Sequence, residues 1–297
     1  MLPSENALDL LSGEPFHPNG VGMSGCVFCG RRGAMSKEHI WPRWVGRTIS
    51  ADLPSSRSVR TVEVRSEGDE AIIEPTRWGP EQQGSVLATK VRIVCQTCNN
   101  GWMSRLEANC RRLIRLLLDP GLALINPADC ASLATWAIKT AWMNEFVGGG
   151  TGSTSTVGMR ASLMNKALPP ASCAVWLARH KGDLRLDIRH ARLALGHQDD
   201  PAGLLGVRHA QRTSIVLDQV ALLAWSADGP GVPTPQPPSE RWAVLWPTAE
   251  SVWWGGLPEV SDEEVVRGMA TFAPSLRLRE HNLVRRRDLG PDVTMPS

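Results

Sequence analysis

Cys26-Val-Phe-Cys29 opens a set of residues that continues with Ser36-Lys-Glu38-His39-Ile-Trp-Pro42 and closes with Cys95-Gln-Thr-Cys98-Asn99-Asn100-Gly-Trp102. A two-residue spacer lets both sulfurs of a Cys-x-x-Cys knuckle reach one ion. Two knuckles supply the four thiolates of a closed, tetrahedral zinc site. If they share one ion they must meet in space, however far apart they lie in the chain. The residues enclosed between them are then read as parts of a small, metal-braced frame.

Around that frame the chain has the composition of a soluble globular protein. Of its 297 residues, 42% are apolar and 21% charged, enough for one large domain or two ordinary ones. A net charge of +2 excludes a chain that binds nucleic acid through bulk charge, so local basic clusters must carry any such role. Seven cysteines are an odd count. Four stand in the knuckles, and Cys110, Cys130 and Cys173 are scattered in apolar runs. That usage fits a metal site plus buried free thiols in a reducing compartment rather than a disulfide framework. The N-terminus lacks a basic segment followed by an apolar run, and no apolar stretch is long enough to span a bilayer. A cytoplasmic protein with no membrane partner is expected.

The sequence divides into three parts. Residues 1–22 are rich in Pro, Gly and Asn and read as a loosely ordered lead-in. Residues 23–147 carry the knuckles, strands over Val59–Ser66 and Ser85–Cys95 with a loop or weak hairpin over Glu67–Gly84, and two helices. The first helix, Asn99–Asp119, places Trp102, Leu106, Leu113, Leu116 and Leu117 at helical spacing. The second, Pro127–Val147, starts at the Asn126-Pro127 cap and ends at Gly148-Gly-Gly150. A Gly/Ser/Thr stretch reaching Thr156 marks a boundary. Residues 157–297 read as an α/β or α+β region, with α/β preferred. It has a helix over Val157–Leu168, strands at Cys173–Arg179, Leu184–Leu195, Thr213–Trp225 and Trp242–Trp246, and a last helix behind the capping box Ser261-Asp-Glu-Glu264. A basic tail with Arg285-Arg286-Arg287 follows.

Inside the frame, Glu38-His39 is the chemically informative step. A neutral imidazole can deprotonate water near pH 7, and a carboxylate can hold a hard cation through oxygen. On a regular strand the two side chains would point to opposite faces, so one shared site requires an irregular stretch there. Asn99 follows the last knuckle at the start of a helix. Its amide oxygen can complete a metal site opposite Glu38, or it can serve as an ordinary helix cap. Asn100 is the alternative first-turn residue. Glu107 shares a helix face with Asn100 and either contributes to the site or pairs with Arg111. Arg43, Arg47, Arg105 and Arg112 are the candidate phosphate contacts around these groups, with a solvated helix face as the plainer reading. Trp41, Trp44 and Trp102 are read as core of a small zinc domain rather than base-stacking platforms.

The layout Cys-x-x-Cys, Glu-His-x-x-Pro, Cys-x-x-Cys-Asn resembles the HNH, or ββα-metal, endonuclease superfamily. The segments Glu38-His39-Ile-Trp-Pro42-Arg-Trp44 and Val94–Glu107 look like a bacterial subgroup of it, and Trp136–Ala141 resembles the same subgroup more faintly. The resemblance covers roughly residues 23–145. It implies an α+β fold with an N-terminal treble-clef zinc domain, and hydrolysis of DNA phosphodiester bonds. By that resemblance His39 would be the general base. Glu38 and Asn99 would hold a catalytic divalent cation, Mg2+ or Mn2+ in the first instance, with Ni2+ and Zn2+ as alternatives. Cys26, Cys29, Cys95 and Cys98 would hold a separate structural zinc.

The chain departs from the superfamily pattern at two points. It has no Asn between His39 and Cys95, leaving Gln82, Gln83 or a backbone carbonyl to orient the base. Trp102 and Met103 stand in the helix turn where a further His is common. The expected partner is double-stranded DNA, with homodimerisation or an accessory protein through residues 157–297, in a setting such as phage defence or a mobile element. The alternative is a non-catalytic treble-clef module that binds nucleic acid or protein.

Overall fold

The computed structural model describes residues 25–49, 56–57, 60–67, 70–78, 82–83, 86–119, 123–147, 153–195, 208–228, 232, 234–247, 250–270 and 277–278. The lead-in 1–22 and nearly all of the basic tail, Arg285–Arg287 included, lie outside them.

The first half begins with β1 (Met35–His39) and α1 (Val45–Thr48). Strands β2 (Ser56–Arg57), β3 (Arg60–Glu67), β4 (Glu70–Trp78) and β5 (Gln82–Gln83) follow, then β6 (Lys90–Cys95). Next comes a helical run of three parts: α2 (Gln96–Cys98), a wide π-type turn over Asn99–Met103, and α3 (Ser104–Leu118). After β7 (Leu124–Ile125) comes α4 (Pro127–Asn144), started by the Asn126 side chain, which accepts from Asp129 N at 2.9 Å. The second half contains α5 (Val157–Lys166), β8 (Cys173–His180), β9 (Leu186–Leu195), β10 (Arg208–Leu217), β11 (Val220–Ala227), β12 (Ala243–Trp246), β13 (Val252–Trp253), β14 (Glu259–Val260), α6 (Asp262–Ala270) and β15 (Arg277–Leu278).

The protein is α+β. Its largest sheet has the order β12-β8-β11-β10-β9-β3-β4-β15, with β14 also pairing β8. Of the two expectations for residues 157–297, the preferred α/β gives way to α+β, because β8 to β12 pair antiparallel. The reason is local. Among the described residues no helix lies between these strands, and the Asp218-Gln219 turn joins β10 to β11, a two-residue connection open only to antiparallel neighbours. The same turn divides Thr213–Trp225, expected as one strand, into the ends of a hairpin. The polar segment expected as a loop or weak hairpin forms β4, paired with β3.

Residues of β8 and β11 alternate between two apolar layers. Val175, Leu177, Leu222 and Ala224 join the layer that holds α4, while Ala174, Trp176, Leu223 and Trp225 join the layer that holds α6. Covered on both faces, these strands need the near-continuous apolar sequence they have. Helix α4 is buried almost all round because it lies between α3 and the sheet. Its core layer continues from Cys26 to Trp254, across the Gly/Ser/Thr stretch that marks the sequence boundary.

Candidate metal centre and Glu-His site

The first knuckle is a tight loop. Cys26 N donates to Arg31 O at 3.0 Å and Gly30 N to Cys26 O at 2.8 Å, with Gly30 in the left-handed region at φ 69°. Val27 N donates to Ile93 O at 2.9 Å and fastens the loop to β6. The second knuckle forms where β6 turns into α2. There Cys95 takes the N-cap position, its sulfur accepting from Cys98 N at 3.5 Å. The four sulfurs of Cys26, Cys29, Cys95 and Cys98 lie within 4.8 Å of one another, and those of Cys29 and Cys95 are 3.7 Å apart. Ligands at the usual zinc–sulfur distance of about 2.3 Å in a tetrahedron stand about 3.8 Å apart, so the donor set fits structural zinc. Burial works to raise the Cys26 thiol, but backbone N–H groups of Cys29, Cys95 and Phe28 outweigh it and hold it at about 7. A thiol poised there deprotonates readily for metal binding.

Strand β1 pairs antiparallel with β6 beside this centre. Its register slips between Ser36 and Glu38, but Glu38 opposite Val91 and His39 opposite Lys90 keep regular register, so the irregularity expected at the Glu-His step falls ahead of it and the two side chains leave opposite faces of the strand. Glu38 is buried, while His39 remains half-buried opposite its cross-strand neighbour Lys90. Burial pushes the Glu38 carboxyl above the usual carboxylate range. Lys139, the hydrogen-bonding Asn99 amide and Arg43 work against that shift, and Glu107 works with it. Burial lowers the His39 pKa, Lys90 and Arg43 lower it further, and Glu107 opposes them. The result is a neutral imidazole at pH 7, one residue from a buried carboxylate.

Asn99 occupies the start of the wide turn rather than the helix cap, because Cys95 already fills the cap. Gly101 in that turn has non-helical φ/ψ of −91° and −107°, and its Cα faces open space. From this turn the Asn99 side chain hydrogen-bonds the Glu38 carboxylate. Asn100 is exposed.

Glu107 is engaged elsewhere: its Oε1 lies 2.9 Å from Lys139 Nζ, and the Lys139 side chain is fully buried. Sequence reasoning assigned no role to Lys139. The available signal was a lone charge inside the apolar run Ala134–Met143, where a lysine is seldom buried without a partner. Arg111 is the sequence-level partner of Glu107 on the helix, yet the ion pair forms across to α4.

Of the candidate phosphate contacts, Arg43, Arg47 and Arg105 are exposed, and Arg112 is paired with Asp129 at 2.9 Å. Lys37 and Lys90 add exposed charge near His39. Trp41 and Trp44 are buried, and Trp102 packs edge-on against Phe28 at 5.1 Å between ring centroids.

The four cysteines are the only group of three or more His, Cys, Asp and Glu side chains with metal-ligand spacing among the described residues. Among them, no helix is long and apolar enough to cross a membrane. Comparison with known protein families, with curated proteins and with solved structures finds nothing that matches this chain.

Proposed function

We propose that the chain is a metal-dependent endonuclease of the HNH type that hydrolyses DNA phosphodiester bonds. The observation that carries this reading is the placement of buried Glu38 and half-buried His39 on β1 and of the Asn99 amide just after the second knuckle, beside the four-cysteine centre. An antiparallel strand pair followed by a helix, with one knuckle ahead of β1 and the other where β6 turns into the helix, supports a treble-clef reading.

His39 acts as the general base. Its depressed pKa keeps the ring neutral at pH 7, ready to take the proton from the attacking water. Glu38 and Asn99 would hold a divalent cation through one carboxylate and one amide oxygen, a hard donor set that suits Mg2+ or Mn2+ with several retained waters. When bound, such a cation supplies Lewis-acid stabilisation of the charge that develops on the phosphate and the leaving oxygen. Arg43, Arg47, Arg105, Lys37 and Lys90 supply exposed positive charge for sequence-independent contact with the phosphate backbone.

The test is nicking and linearisation of supercoiled plasmid by the zinc-loaded full chain with Mg2+ or Mn2+. His39→Ala should reduce cation-dependent cutting by about 100-fold or more, the usual scale of a lost general base. Undiminished cutting by His39→Ala sinks the mechanism. A wild-type protein that carries zinc and binds DNA but never cuts it is a non-catalytic module.

A further inference from the structure

Helix α5 touches both cysteine knuckles from outside. Arg160 donates from Nε to Val27 O at 2.8 Å, between the two cysteines of the first knuckle. Met164 places its Sδ 3.8 Å from Cys98 Sγ in the second. The two residues are four apart and share one face of the helix. Arg160 is buried. Its Nη1 donates to Ser153 Oγ and Ser155 Oγ, each at 2.8 Å, and to Ser155 O. The Glu145 carboxylate at the end of α4 accepts from the same two hydroxyls. Burying a guanidinium costs far more than burying an apolar side chain. Buried Met159 and Leu163 show that an apolar residue would suit α5, so packing alone does not account for the charge.

The backbone of Val27 accounts for it. Val27 N donates at 2.9 Å to Ile93 O, two residues before Cys95 on β6, and Val27 O accepts from Arg160. Held on both sides, the loop between Cys26 and Cys29 has a fixed orientation relative to the second knuckle. On the zinc reading of the four cysteines, and independently of the nuclease reading, we propose that Arg160 is a positioning residue of the metal centre. It fixes the first knuckle against the second, while Ser153, Ser155 and Glu145 fix Arg160 in turn. A helix from beyond the Gly/Ser/Thr stretch thereby sets how tightly a site built from Cys26, Cys29, Cys95 and Cys98 holds its ion.

The experiment measures zinc affinity of the full chain by competition with a chromophoric chelator, well below the melting temperature, with thermal melting alongside. Cys95→Ser comes first. If the wild type binds no zinc, or binding is indifferent to Cys95→Ser, the zinc reading fails and this proposal falls with it. If Cys95→Ser weakens binding, that reading stands, and two variants of α5 decide the proposal. Arg160→Met removes the bond to Val27. Leu163→Ala, on the same helix, removes buried packing and leaves that bond in place.

Arg160→Met should weaken zinc binding about tenfold or more, the scale on which a group that orients metal ligands acts. Leu163→Ala should lower the melting temperature while its zinc affinity stays near the wild-type value. Arg160→Lys should not restore affinity, because an ammonium lacks the fork that reaches Val27 and both serines together. Wild-type affinity in Arg160→Met overturns the proposal, as does equal weakening by Leu163→Ala or full restoration by Arg160→Lys. Should Arg160→Met fail to fold, Ser153→Ala carries the test. It removes one hydroxyl that holds Nη1, so affinity should fall about threefold, the worth of a weak hydrogen bond, and an unchanged value overturns the role.

Discussion

Gly25 sets the tolerance of the first knuckle. A Cβ there would stand 2.5 Å from Gly30 O and 3.3 Å from Arg31 O, both backbone atoms of the loop that Cys26 must close. Neither can retreat without opening the Cys26 N to Arg31 O hydrogen bond. Gly25→Ala should therefore lower zinc affinity by an order of magnitude or more, measured by competition with a chromophoric chelator. At this scale the two knuckles and the Glu-His step were legible, because ligand type and spacing are written in the chain. The state of each group was not. That Glu38 is buried, that His39 faces Lys90, and that Glu107 is claimed by Lys139 all depend on residues distant in sequence.

The crossing from β8 to β9 shows how one side chain holds an element in place. The linker passes the tip of the β10–β11 hairpin, where Asp218 N donates to Arg185 O at 2.7 Å and Asp218 Oδ1 pairs with Arg185 Nε at 2.9 Å. These contacts help hold Asp218 at φ 55°, a conformation uncommon for a residue with a side chain. Asp262, at the start of α6, accepts from Asp183 N at 2.9 Å and Leu184 N at 3.3 Å, and lies 2.8 Å from His180 Nε2.

Burial works to raise the Asp262 pKa, but these donors outweigh it and hold it below the usual aspartate range. A folded-state pKa below the unfolded one contributes stability at pH values above the unfolded pKa of about 3.9, and that contribution is lost as pH falls through the folded value. Asp262→Asn should thus be less stable than the wild type at neutral pH, with the gap narrowing below about pH 4. Urea unfolding across a pH series checks this, and a gap that stays constant in acid would overturn it.

Element type was largely legible here. The helix after Asn126 and the capping box came from local chemistry, and Ser261 N does donate to Glu264 Oε2 at 2.9 Å while Glu264 N donates to Ser261 Oγ at 3.3 Å. The hairpin turn at Asp218-Gln219 was hidden, because its residues make no strong turn signature and tertiary contacts support its backbone.

Across the whole molecule the four-cysteine cluster and the large sheet share a core. Arg160 of α5 donates from Nε to Val27 O at 2.8 Å, inside the first knuckle. Its Nη1 bonds Ser153 and Ser155, whose hydroxyls also bond Glu145 at the end of α4. Cys98 Sγ lies 3.8 Å from Met164 Sδ on the same helix. Loss of the knuckles therefore removes partners from α5 and, through it, from α4. Stripping zinc from the full chain with a chelator should lower the melting temperature of one cooperative transition seen by calorimetry. Two separate transitions, only one of them sensitive to the chelator, would contradict this coupling.

By itself the sequence determined the two knuckles, the Glu-His step, most helices and strands, and the caps that start α4 and α6. All of these rest on spacing and local hydrogen bonding within a few residues. Tertiary structure alone decided the antiparallel order of the sheet, the pairing of β3 with β9, the claim of Lys139 on Glu107 and the single core across the Gly/Ser/Thr stretch. Each joins segments far apart in the chain, and desolvation and packing, which choose among such partners, leave no local periodicity to read.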